Sequence, residues 1–193
     1  IGFELAMKRS KKLCCIDKAN VLETSRLWRQ TVQSLEKNYP EVNVSYEFVD
    51  AVAMRLIHSP SYYDVLITSN LFGDILTDEA SVISGSMGLM PSASVGVETS
   101  IYEPIHGSFP QAKGKNIANP LATILSASMM FERSFHLNEE SKLIRDLVNE
   151  SISNNIVTKD LSGDGKPFTT TEVGDWIVAV SYTHLRAHET YRD

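Results

Sequence analysis

Three aspartates and a lysine carry the chemistry this sequence offers. In LFGDILTDEA, residues 71–80, Asp74 and Asp78 stand four apart among apolar residues. On a helix, positions i and i+4 project from one face, so the two carboxylates would lie together, with Leu71, Ile75 and Val82 on a neighbouring stripe. Like charges so placed repel, and two carboxylates completed by substrate oxygens and waters suit a hard divalent ion such as Mg2+ or Mn2+. A solvated helix face is the other reading, because a two-residue motif says little alone. Asp50 closes the strand-like YEFVD, and Lys18 follows another strand in IDKANV. Ligands of α/β sheets gather at such strand ends, so these groups could build a metal-assisted acid/base site. The plain alternatives are a helix cap for Asp50 and an exposed charge for Lys18.

The elements that must position these groups alternate along the chain. KLCCID (12–17) reads as a buried strand, and NVLETSRLWRQTVQSLEKNY as a helix with Val21, Ser25, Trp28, Val32 and Leu35 on one stripe. VSYEFVD is strand-like, AVAMRLIHS helical, and YDVLITS (63–69) an apolar strand leading into a helix from about Asn70. Strand and helix in this order predict an α/β fold with a largely parallel sheet. Between Gly85 and Gly107, glycine, serine and proline predict turns and short strands. Helices follow in LATILSASMMFERSF, with Asn119 as cap before Pro120, then in SKLIRDLVNESI and TTTEVGDWIVAV.

YEPIHGSFPQAKGKNIANP (102–120) strings His106, Gly107 and Ser108 to Gly114 and Asn119, a run that exposes backbone amides and suits a nucleotide ligand. It matches neither the G-x-G-x-x-G fingerprint nor a P-loop. His106 alone reads as structural, as do His58 and His136.

The 193 residues are 42% hydrophobic and 22% charged, enough for one large domain or two modest ones. Lys plus Arg number 18 against 24 Asp plus Glu, a net charge of -6 that disfavours a nucleic-acid surface. The only two cysteines, Cys14 and Cys15, are adjacent in a strand and point to opposite faces, so no structural bridge is expected and a reducing compartment fits. No apolar run is long enough to span a bilayer and no secretory pattern opens the chain, which predicts a cytoplasmic protein. The chain opens on Ile1 inside a helical pattern (Phe3, Ala6, Met7), as a fragment would.

IDKANVLETSRLWR, SNLFGDILTDEASVISGSMGLMPSAS and YEPIHGSFPQAKGKNIANP, in this order and spacing, resemble the metal-dependent decarboxylating dehydrogenases of β-hydroxy acids over residues 1 to about 180. GSMGLMPSAS and TDEAS are more similar to the isopropylmalate branch than to the isocitrate branch. The resemblance implies part of a two-domain α/β fold with a mixed, largely parallel sheet flanked by helices. Residues 1–75 would be the rear of the second, substrate and dimerisation domain, and 76–180 the return into the first, NAD-binding domain. It implies Asp50, Asp74 and Asp78 as ligands of Mg2+ or Mn2+, Lys18 as catalytic base with Asp50 beside it, and Asn20 next to substrate and nicotinamide. The small hydroxy-dicarboxylate substrate would be oxidised by hydride transfer to NAD+ and then decarboxylated. A lysine base must be neutral part of the time, which asks for burial or a nearby positive charge.

The same resemblance implies a homodimer in which Lys18 and Asp50 serve the partner's site while Asp74 and Asp78 serve their own. His106, Gly107, Ser108, Gln111 and Asn119 would hold the adenosine of NAD. Gln111 stands where many relatives carry an aspartate; glutamine still bonds ribose but does not repel a 2'-phosphate. Ala112 lacks the tyrosine of NADP-using relatives. The family's amino-terminal half, with its substrate-gripping arginines and enol-protonating tyrosine, is absent. SYTHLRAHETYRD, from about Ser181, fits neither the family nor the preceding pattern and is expected to be a non-native tail, which leaves His184 and His188 without a metal role. Tartrate, homoisocitrate and isocitrate relatives are the enzymatic alternatives. A noncatalytic metal-binding fragment, associating through the helices of 51–84, is the other.

Overall fold

The computed structural model describes the backbone of residues 1–189 and the side chains of residues 1–183. Two compact units divide at Ile83 and Ser84. In the first, α1 (Gly2–Met7), β1 (Lys12–Asp17), α2 (Glu23–Glu36), β2 (Asn43–Phe48), α3 (Val49–His58), β3 (Val65–Ile67) and α4 (Asn70–Ser84) follow in order. The strands form one parallel sheet, β2-β1-β3.

Alternation along β1 sorts its side chains between two cores. Leu13 and Cys15 pack with Phe3 and Ala6 of α1 and Val32 of α2. Cys14 and Ile16 pack on the other side with Val52 and Leu56 of α3 and Leu76 of α4. A strand buried on both faces reads as a continuous apolar run, which KLCCID shows. The expected α2 stripe holds in part: Ser25 and Val32 are buried, whereas Val21 precedes the helix and, like Leu35, is exposed. The register sets Asp17 opposite Phe48, so Lys18 emerges beside the first turn of α3.

In the second unit β4 (Pro91–Val95) and β5 (Ser100–Pro104) form an antiparallel pair. Helices α5 (Leu121–Arg133), α6 (Asn138–Ser153) and α7 (Thr170–Glu189) share a core of Leu121, Leu147, Val148, Val173 and Ile177. The tail expected from Ser181 enters α7, and its residues 190–193 and the side chains of His184 and His188 lie outside what the structure describes. Among the described residues no helix is long and apolar enough to cross a membrane.

Asp50 is the main departure from the expected placement. β2 ends at Phe48, and Asp50 sits in the first turn of α3, which has no side-chain cap. The alternation of VSYEF stops at Phe48, where apolar Val49 follows apolar Phe48, but a β-branched valine still suits a strand, so composition carries the strand two residues too far. The position is still electrostatically apt, since a carboxylate in a first turn faces the positive end of the helix dipole.

Candidate active site

The turn from β1 into α2 is built around Lys18, whose carbonyl accepts the N–H groups of Val21 (3.0 Å) and Leu22 (2.9 Å). Lys18 Nζ forms an ion pair with Asp50, with 26% of the lysine side chain exposed against 64% of the aspartate. The hydrogen bond from Lys18 holds the Asp50 carboxyl below its ordinary range. Asn20 is exposed in the same turn.

Asp74 and Asp78 both lie on the exposed side of α4, whose buried residues are Leu76 and Ser81. Among the described residues neither carboxylate has an ion-pair or hydrogen-bond partner. The flanking Leu71, Ile75 and Val82 are exposed too, at 66%, 57% and 79%. The donor set fits a hard divalent cation: two anionic oxygens one helical turn apart, open to water and engaged by no basic side chain. Asp50 does not join them, for among the described residues no three His, Cys, Asp or Glu side chains converge.

In the second unit the glycine-containing loop is an open one. His106 Nδ1–H donates to the Gly107 carbonyl at 3.0 Å, and Gly107, Ser108 and Gln111 are exposed, Gln111 within a short 3-10 turn at Pro110–Ala112. Gly114 takes φ +74°, a left-handed conformation that favours glycine. Asn116 ties the loop's end to the start of α7, its Oδ1 accepting from the Thr171 N–H and hydroxyl at 3.1 and 3.0 Å.

Asn119 is already engaged. Its Oδ1 accepts the Leu121 N–H at 3.0 Å from one residue ahead of Pro120, which and not Asn119 takes the N-cap position of α5, and its Nδ2 donates to Asp160 at 2.9 Å. Asp160 also accepts from the Ser86 and Thr158 hydroxyls. Burial works to raise the Asp160 carboxyl, but these three bonds hold it below its ordinary range. A Cβ on Gly88 would come within 2.6 Å of Asn119, so only glycine lets this junction close.

Three residues of these networks escape the sequence reading. Asp17, fully buried at the end of β1, pairs with Arg29 through Nε–Oδ2 at 2.7 Å and Nη2–Oδ1 at 3.0 Å. The available signal was an aspartate ending an otherwise apolar strand with an arginine on the helix that follows. Asp160 gave no signal, since apart from nearby Thr158 its partners Asn119 and Ser86 lie 41 and 74 residues away in sequence.

The sequence profile described as isocitrate/isopropylmalate dehydrogenase matches residues 1–177. The chain is similar to a 3-isopropylmalate dehydrogenase of Bacteroides fragilis, 58% identical over 179 residues, which are 92% of this chain and 50% of that protein. It is also similar to a 3-isopropylmalate dehydrogenase of Clostridium acetobutylicum, 49% identical over 93% of this chain and 51% of that protein. The chain thus spans about half the length of the curated relatives it matches. Among solved structures it is similar to isocitrate dehydrogenase from Methylococcus capsulatus, with TM-score 0.88 and 35% identity over 93% of this chain and 53% of that one.

Proposed function

The chain belongs to the isocitrate/isopropylmalate dehydrogenase family, and from that premise we propose that it serves the oxidative decarboxylation of 3-isopropylmalate to 2-oxoisocaproate with reduction of NAD+, a step of leucine biosynthesis in the cytoplasm. The observation that carries the reading is the pair Asp74 and Asp78, two carboxylates on one exposed helical face with no internal partner among the described residues. The choice of substrate is supported by 58% identity to a 3-isopropylmalate dehydrogenase, against 35% to an isocitrate dehydrogenase.

In this reading Asp74 and Asp78 hold Mg2+ or Mn2+ together with Asp50 of a second copy. A bound ion would supply Lewis-acid polarisation of the substrate oxygens, and NAD+ would supply the hydride acceptor. Lys18 in its neutral amine form takes the hydroxyl proton, and Asp50 pairs with the ammonium that results, as in the ion pair seen here. Asn20 lies beside substrate and nicotinamide. His106, Gly107, Ser108, Gln111 and Asn119 hold the adenosine, and Gln111 bonds the ribose without repelling a 2'-phosphate. Because Lys18 and Asp50 act on the partner's substrate, the working unit is a homodimer.

The test is reduction of NAD+ and of NADP+ with Mn2+ by the complete gene product, given 3-isopropylmalate, isocitrate or tartrate. NADH formation with 3-isopropylmalate alone is the expected result. Turnover of another hydroxy acid moves the protein to a sister branch, and Mn2+ binding without turnover marks a noncatalytic metal-binding protein.

A further inference from the structure

A salt bridge made by a fully buried carboxylate is an expensive way to hold a helix on a sheet, because an apolar contact of similar size commonly does as well. The Asp17 side chain is nevertheless fully buried against Arg29, one residue before Lys18. Asp17 Oδ1 accepts the Ala19 N–H at 2.8 Å, so the residues on both sides of Lys18 answer to one carboxylate. The Arg29 guanidinium carbon lies 5.4 Å from the Phe48 ring centre and 5.6 Å from that of Tyr46. Lys18 Nζ lies 5.7 Å from the same Phe48 ring. Two cations thus share one aromatic ring, which the β1–β2 register places opposite Asp17. A cation is drawn to a ring face, and a flexible lysine laid against one loses alternative directions.

We propose that the Asp17–Arg29 pair and the Phe48 ring form a seat that aims Lys18 at Asp50, with Arg29 and Phe48 as positioning residues for the base of the proposed reaction. The role rests on the assignment of Lys18 made above. Asp17 locks the backbone of the turn and neutralises Arg29. Arg29 braces the ring, and the ring directs the lysine stem.

The seat is tested on this chain by limiting acetylation with acetic anhydride, read lysine by lysine by peptide mass spectrometry, with Lys37 and Lys113 as internal references. Phe48→Leu is expected to raise labelling of Lys18 several-fold over both references, and Phe48→Tyr, which keeps the ring, to label as the parent does. Parental labelling in Phe48→Leu overturns the seat, as does fast labelling in Phe48→Tyr or a rise shared by all three lysines. Asp17→Asn is informative where it folds, and the Phe48 pair carries the test where it does not. In the complete gene product Phe48→Leu is expected to lower kcat roughly tenfold, with KM for 3-isopropylmalate moved by no more than about twofold. Turnover retained by Lys18→Met sinks the assignment of the base and the positioning role with it. Turnover lost in Lys18→Met beside parental labelling and kcat in Phe48→Leu sinks the seat alone.

Discussion

A carboxylate's surroundings decide its use, and three aspartates show three outcomes. Asp74 has no partner among the described residues, so Asp74→Asn keeps shape and removes the charge that would hold a cation. Its Mn2+ affinity is expected to fall roughly tenfold or more by calorimetry, and an unchanged affinity removes Asp74 from the ligand set. Asp64 is spent on structure: hydrogen bonds from Ser10 and Arg9 bring its carboxyl from the ordinary 3.8 to about 2. The folded value lies below the unfolded one, so this stabilisation is complete above the unfolded value and is lost as pH falls through the folded one. The unfolding-temperature gap between parent and Asp64→Asn is therefore expected to close between pH about 4 and about 2 in a thermal scan. Asp17 is the third outcome, a buried partner for Arg29. That Asp74 and Asp78 share one exposed helical face was legible because helical spacing is local. The pairing of Asp17 was not, because its partner is set by how α2 lies across β1.

At the scale of elements, periodicity named the strands and helices but not which side of each helix meets the sheet. On α4 the sheet takes Leu76, while Leu71, Ile75, Val82 and Ile83 face outward. On α3 it takes Val52 and Leu56 and leaves Met54 and Ile57 exposed at 72% and 70%. A sequence stripe marks apolar residues, and only packing shows that two such stripes remain for another surface. In the homodimer proposed above these helices meet their counterparts, so Ile75→Asp is expected to shift the sedimentation of the complete gene product toward monomer. An unchanged dimer places the contact elsewhere. The junction at Asn119 was half legible: Asn before Pro is a helix-start signal, but its bond to Asp160 joins distant segments. Gly88→Ala drives a methyl into Asn119 and is expected to cost about 1–3 kcal/mol of stability by denaturant unfolding. A smaller loss would mean that the loop yields.

For the whole molecule, the order of strands and helices, the parallel sheet and the absence of a nucleotide fingerprint could all be read in advance, because each follows from neighbours in sequence. Where Asp50 stands could not, since it depends on where β2 hands over to α3. A site shared between copies makes a quantitative demand. Equimolar mixing of Lys18→Met and Asp74→Asn chains, each inactive alone, should restore about a quarter of parental turnover, since half the dimers are mixed and each carries one undamaged site. No recovery would mean that each site draws on one chain. The adjacent cysteines offer a view of how the first unit comes apart. Burial pushes the Cys14 thiol up and that of Cys15 up to about 12, with the Asp17 charge adding to the latter, so an alkylating reagent reads only molecules that have opened. Cys14 then times the release of α3 and α4 and Cys15 that of α1 and α2: equal rates mean that both layers leave together, and a lag between neighbouring residues names the layer that peels first.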